Sequence, residues 1–295
     1  TAHILWTQPV SMGGLAGGLG EHAFSDGDAY EGLFQDGVIL GGVLFYNLFN
    51  TRSTHIVPPE SQEVVAIDLH TGEVLWQKAL VTPDGAIGNL DFGQVFYWNE
   101  FNHHAVYGHL WDTRGSTWHA FDPFSGVWTH TIEGVPGGER VRGPNGEILV
   151  YSIDQNEGTL TKWNNVLTVN PGDYGNSNDG SYGRNIGLDV DDRIYPAERG
   201  IEYTVPIPDL PQRTNFFSAL VMEDRIISGN TGNIFGGPQS DPEFWAISLE
   251  PGHEGNLLWR KSWTPPVADL WVHFTPNFLP TIEDGIFIIQ AKETG

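Results

Sequence analysis

The stretch Ala66-Ile67-Asp68-Leu69-His70-Thr71-Gly72-Glu73-Val74-Leu75-Trp76 constrains the fold more than any other part of the chain. Val64, Val65 and Ile67 favour extended backbone. Asp68 can accept hydrogen bonds from the N–H groups of a following turn, and Gly72 can take a positive φ without steric cost. Glu73, Val74 and Leu75 resume the strand, and Trp76 closes it. The pattern then recurs. Ala120, Phe121, Asp122, Gly126 and Trp128 form a copy with the Trp two residues early, and Asp154 to Gly158 followed by Trp163 form another. Tyr203 stands where a later unit needs its aromatic, and Ala246 to Trp259 repeats the motif around a longer, Gly-rich turn.

Spacing turns this recurrence into an architecture. Trp76, Trp128, Trp163, Tyr203 and Trp259 follow one another at 52, 35, 40 and 56 residues. Several short strands in a unit of roughly 45 residues is the sequence signature of β-propeller blades. Stacked helical repeats have similar periods, but 37 Gly and 19 Pro among 295 residues, with 12% aromatics, argue for β-structure. The expectation is one all-β domain over residues 1–295, built of four-stranded antiparallel blades. Unit ends fall near Trp6, Trp76, Trp128, Trp163, Tyr203 and Trp259, giving about five full blades with partial ones at both ends. Such a count points to part of a ring of seven or eight blades. His3 to Pro9 reads as a leading fourth strand, and Ile286–Ile289 as the start of a trailing blade.

Charge and composition narrow the function classes. Fourteen Lys and Arg against 37 Asp and Glu give a net charge of −23. Nucleic-acid binding needs a basic footprint and is excluded on that ground. Binding to an anionic membrane surface is disfavoured for the same reason, and no apolar run is long enough for a spanning helix. The chain has no Cys, which removes disulfides, thiolate metal sites and Cys nucleophiles together.

Ala66, Asp68, Thr71, Gly72 and Trp76 fit the pattern Ala-x-Asp-x-x-Thr-Gly-x-x-x-Trp in full. This resembles the tryptophan-docking repeat of quinoprotein-type (PQQ-like) β-propellers. The whole chain looks like a group of secreted archaeal propeller-repeat proteins, through His3 to Pro9, Gly115 to Trp118, Gly143 to Leu149 and Gly200 to Tyr203. The resemblance implies fold and an extracellular or cell-surface location. It also implies that the repeat Trp docks between blades while the Asp anchors its own turn. Asp68, Gly72, Trp76, Asp122, Gly126, Trp128, Trp163 and Trp259 are thereby expected to be structural.

Chemistry is harder to place. Quinone-dependent dehydrogenation would require a Ca²⁺ ion, an Asp base and cations around a tricarboxylate. The basic residues show no such cluster, so PQQ is disfavoured and no catalytic residue is assigned. His103, His104, His109 and His119 fall in one unit, where imidazoles could bind a metal; a hydrogen-bonded or exposed role is the simpler reading. Three acidic loops place hard oxygen ligands at short spacing: Asp26, Asp28 and Glu31; Asp173, Asn176, Asn178 and Asp179; and Asp189, Asp191 and Asp192. Calcium is the cation such loops suit, and the loop of Asp173, Asn176, Asn178 and Asp179 is the favoured candidate. Phe96-Tyr97-Trp98, Trp118, Trp245, Trp263 and Trp271 exceed what docking needs, and some are expected on a contact rim. The expected role is a non-catalytic structural, assembly or recognition module whose partners are other surface proteins, further copies of itself or glycans. The alternatives are a quinoprotein-like oxidoreductase and a glycan-binding propeller.

Overall fold

The computed structural model describes residues 3–7, 37–48, 62–100, 103–169, 193–211, 219–230 and 243–262, with backbone only at 98–100, 103, 104 and 230. These residues are almost entirely strand and turn, and they divide into two compact units. The first comprises Thr1–Val135, Arg142–Ile148 and Asn165–Gly200; the second comprises Pro136–Val141, Leu149–Asn164 and Ile201–Gly295.

The first unit holds two antiparallel meanders. β1 (Val38–Leu40), β2 (Val43–Asn47), β3 (Val64–Asp68) and β4 (Val74–Lys78) pair in sequence order. A short ribbon of β5 (Leu80–Val81) and β6 (Ile87–Gly88) leads to the second meander. That sheet is β7 (Phe92–Glu100), β8 (His103–Arg114), β9 (Thr117–Phe121) and β10 (Trp128–Glu133). The apolar sides of the two sheets meet in a core of Phe45, Val64, Ala66, Leu80, Leu90, Leu110, Phe121 and Trp128. Gly93 sits where they come closest. A Cβ there would lie 2.3 Å from Val38 Cγ1, so only hydrogen fits.

In the second unit, β11 (Glu139–Arg142), β12 (Ile148–Asp154) and β13 (Thr159–Asn164) form three strands of another sheet. The chain then departs through a short helix, α1 (Asn165–Val169), which belongs to the first unit. On its way back, β14 (Ile194–Pro196) adds to β10 in parallel, and a turn of 3-10 helix at Ala197–Gly200 follows. Only then does β15 (Ile201–Pro206) complete the sheet by pairing with β13. The last sheet is β16 (Leu220–Val221), β17 (Arg225–Asn230), β18 (Glu243–Ser248) and β19 (Leu257–Ser262). Leu149, Tyr151, Leu160, Leu210, Ile226, Trp245 and Ile247 supply the core of this unit.

Four-stranded antiparallel meanders repeated along a chain are the blade unit of a β-propeller, and the fold is all-β as expected. The unit count differs. Trp163 on β13 and Tyr203 on β15 are strands of one sheet, not the ends of two successive blades. The residues between them are an insertion into that sheet, and insertion length is invisible to a count of aromatic spacings. His3–Thr7 lies outside the described strands, whereas the sequence reading made it a fourth strand. The trailing strand Ile286–Ile289 lies outside the described residues.

Candidate functional site

The repeat turns come first, because they decide which side chains are left for function. Asp68 Oδ1 accepts the N–H groups of His70 (2.7 Å) and Thr71 (2.9 Å), and Gly72 takes φ of 75°. These bonds hold the Asp68 carboxyl below its ordinary pKa. Asp122 is used in the same way, accepting Phe124 N–H at 3.1 Å and Ser125 Oγ–H at 2.5 Å, with Gly126 at φ of 63°. Asp154 accepts Asn156 and Glu157 N–H groups in the β12–β13 turn.

Each docked Trp then meets such a turn from outside its own strand. Trp6 Nε1–H donates to Leu69 O at 2.8 Å, and its ring lies against Gly72, where a Cβ would come within 2.8 Å. Trp76 Nε1–H donates to Pro123 O at 3.1 Å and its ring lies against Gly126. In both cases the acceptor is the carbonyl one residue after the turn Asp. Trp6, placed from sequence at a unit end beside Trp76, thus docks in the same way as Trp76.

Trp128 departs from this scheme. The turn of Asp122 is the same length as that of Asp68: Asp68 N bonds Glu73 O, and Asp122 N bonds Val127 O, both at 2.9 Å. Every fourth strand also carries a one-residue bulge, and the bulged residues are Leu75, Thr129, Glu202 and Leu258. Register therefore aligns Trp76 with His130, not with Trp128. Ala66 pairs with Trp76, Ala120 with His130 and Ala246 with Trp259. Trp128, opposite Phe121, faces the other side of the sheet, where its Nε1–H donates to Thr131 Oγ1 at 3.0 Å. Trp163 takes the third-strand position opposite Ile201 and is fully buried.

His130 consequently sits in a layer of rings on the second sheet. Its centroid is 5.1 Å from His109, 5.3 Å from Trp111 and 5.9 Å from Tyr195, all edge-to-face. His130 Nε2 and His109 Nδ1 are buried with no hydrogen-bond partner. Burial pushes both imidazoles toward neutrality, His109 down to about 4 and His130 well below the ordinary range. His119 is separate, on the opposite face, with Nδ1 2.8 Å from Thr131 Oγ1. Among the described residues no three His, Asp or Glu side chains converge to hold a metal. Beneath this layer, Gln94 Oε1 accepts Trp111 Nε1–H (3.0 Å) and Asn165 Nδ2–H (2.9 Å), while Asn165 Oδ1 accepts Ile148 N–H at 2.7 Å. Gln94 Nε2–H donates to Gly146 O at 3.0 Å. The sequence carried no periodic or motif signal for His130, Gln94 or Asn165.

Among the described residues, two features stand open to ligands. The β7–β8 hairpin extends beyond the end of β9, which pairs only with residues 110–114 of β8. On this extension Val95, Tyr97, Val106 and Tyr107 are exposed, Val106 at 68%. Its outer edge is fixed: Tyr97 N–H donates to Asn145 O at 2.8 Å, and Arg142 donates to Gly93 O at 2.6 Å. The second feature is a pocket of about 360 Å³ lined by Ala79, Val81, Thr82, Pro83, Gly126, Val127, Trp128 and Arg193. Of the other aromatics expected on a rim, Trp118 and Trp245 are buried, while Trp263 and Trp271 lie outside the described residues. So do Asp173, Asn176, Asn178 and Asp179, and the two other acidic loops. His103 and His104 are strand residues of β8, opposite Glu100 and Asn99.

No protein-family profile and no curated protein sequence matches this chain. Among solved structures it is similar to Kuenenia stuttgartiensis hydrazine synthase at 10% identity and TM-score 0.31, covering 78% of this chain and 49% of that one. It is also similar to the dihydro-heme d1 dehydrogenase NirN, at 11% identity and TM-score 0.35, covering 88% and 46%. A third likeness is the β-propeller domain of the Trilobed protease from Pyrococcus furiosus, at 9% identity and TM-score 0.31, covering 79% and 57%. The chain spans about half the length of the first two of these structures.

Proposed function

We propose that this chain is a non-catalytic β-propeller module of the quinoprotein-type (PQQ-like) repeat class, working outside the cell or at its surface in recognition and self-assembly. The observation that carries the reading is the projecting β7–β8 hairpin, with Val95, Tyr97 and Val106 exposed on one face and Tyr107 on the other, on a base held by Asn145 and Arg142. Exposed tyrosines are among the side chains enriched at protein-contact hot spots. The repeat motif supports the same view, because Asp68, Asp122 and Trp76 have their polar atoms engaged in turns and docking rather than turned toward a cofactor. A charge of −23 suits solubility outside the cell.

Sedimentation over a concentration series tests it. The wild type is expected to self-associate, and Val106→Glu with Tyr107→Ser is expected to leave it monomeric. A monomer at every concentration overturns the assembly reading, and retention on a polysaccharide column in that case favours the glycan-binding alternative. An absorbance change on mixing PQQ and CaCl₂ with the protein, followed by turnover of an alcohol, overturns the non-catalytic reading.

A further inference from the structure

We infer that the pocket beside Trp128 is a binding site for a small organic carboxylate with an apolar body, and that Arg193 is the residue that recognises it. This inference is independent of the hairpin.

Arg193 arrives just before β14, and its guanidinium carbon lies 4.3 Å from the centre of the Trp128 ring. That cation–π contact holds the group over the ring and leaves its N–H donors to be satisfied elsewhere. They are under-used. One terminal N–H reaches Thr129 O at 3.4 Å, and the buried Nε–H has no partner. Among the described residues no carboxylate pairs with Arg193, although the chain has 37 acidic groups against 14 basic ones. Arg114, Arg225 and Arg260, by contrast, each carry a carboxylate: Asp112, Asp224 and Glu243. A half-buried guanidinium with no carboxylate partner among the described residues keeps the desolvation cost of its donors. His130 adds no negative charge beside it: burial first, then the charges of His109 and Arg193, push that imidazole toward neutrality.

The pocket supplies the rest of the recognition. At about 360 Å³ it falls in the range of small-ligand sites. Ala79, Val81, Pro83, Val127 and the edge of Trp128 make it apolar apart from Arg193 and Thr82. Thr82 Oγ–H is already committed to Asp84, and the same oxygen lies 2.9 Å from Ala86 O, so the turn it closes occupies it. One planar cation on an apolar wall selects an anion with a hydrophobic body, and a carboxylate matches the guanidinium fork. A free acid and the C-terminus of a peptide share this chemistry.

Titration calorimetry with octanoate, phenylacetate and N-acetyl-leucine, beside octanol as the uncharged control, tests the site. All three acids or a subset are expected to bind and to raise Tm, with octanol at least about tenfold weaker. Binding of N-acetyl-leucine alone assigns the site to peptide C-termini, and binding of octanoate or phenylacetate assigns it to free acids; each supports the carboxylate. Arg193→Gln is expected to weaken the best acid about tenfold or more, and Arg193→Lys by less. Val127→Asp provides a second arm, because Val127 is 58% exposed and the change leaves the core intact while placing a negative charge at the pocket. It should weaken binding comparably. No heat with any acid up to about 10 mM, or equal affinity in wild type, Arg193→Gln and Val127→Asp, overturns the inference.

Discussion

At the scale of residues, the Trp76 indole does two separable jobs. Its ring packs on Phe45 at 5.8 Å and on Gly126, and its N–H bonds Pro123 O. Trp76→Phe keeps most of the first and loses the second, so it should cost about 1 kcal/mol. Trp76→Ala loses both and should cost about 3 kcal/mol or more. Denaturant titration of the two variants separates the contributions; equal losses would mean that the ring packing contributes nothing beyond the hydrogen bond. His109 makes a prediction of a different kind. Its ring is held near 4 in the folded protein, whereas an unfolded His takes its proton at about 6.5. Below pH 6.5 the unfolded chain therefore binds the extra proton. Stability contributed by the neutral ring is complete above that pH, falls as pH drops toward 4, and levels off below it, by about 3 kcal/mol in all. His130 acts in the same direction. His109→Phe should flatten the slope between pH 6.5 and 4 relative to wild type, while a parallel slope would show that carboxylates alone account for it.

At the scale of elements, the turn was legible and the register was not. Asp68, Gly72 and Trp76 announce a hairpin because turn chemistry is local: carboxylate, positive φ and strand formers lie within a few residues. The equivalence of Trp76 with His130 depends on a bulge, and a bulge is decided by cross-strand pairing that leaves no mark in spacing. An aromatic shifted by two residues therefore looked like a shortened turn. The same limit hid the insertion between Trp163 and Tyr203, since a strand joined across a long excursion resembles two units. Arg193 and the Gln94–Asn165 pair were invisible for a related reason: Arg193 lies 64 residues in sequence from Thr129, and Gln94 lies 71 from Asn165. That pair anchors α1 beneath the ring layer, and it is testable as an element. Gln94→Leu leaves Trp111 Nε1–H and Asn165 Nδ2–H buried without their acceptor, and should cost about 2–4 kcal/mol. Trp111→Phe in that background removes one stranded donor and should recover part of the loss, whereas strictly additive losses would show no coupling.

At the scale of the whole molecule, charge is the property the sequence states outright, and its consequence can be measured without knowing the partner. A chain of 295 residues carrying −23 repels itself when compact. Local pairs such as Lys162 with Glu202, 2.6 Å apart, and Arg114 with Asp112, 2.8 Å apart, are attractive at short range but leave that net charge unchanged. Repulsion over longer distances is screened by salt, with a Debye length of about 30 Å at 0.01 M and about 3 Å at 1 M. Raising NaCl from about 0.01 M to about 0.5 M should therefore raise Tm by at least ~2 °C, most of it in the lower part of the range, where screening length changes fastest. Salt also weakens the surface pairs, but exposed pairs contribute little each, so the net sign is positive. Arg193→Gln distinguishes this global effect from chloride filling the Trp128 pocket. A rise retained in the variant belongs to screening, and a rise lost with Arg193 belongs to the pocket. A Tm that falls with salt in both proteins would mean that the local pairs outweigh the net charge, and the acidity would then have to be explained by binding rather than by solubility.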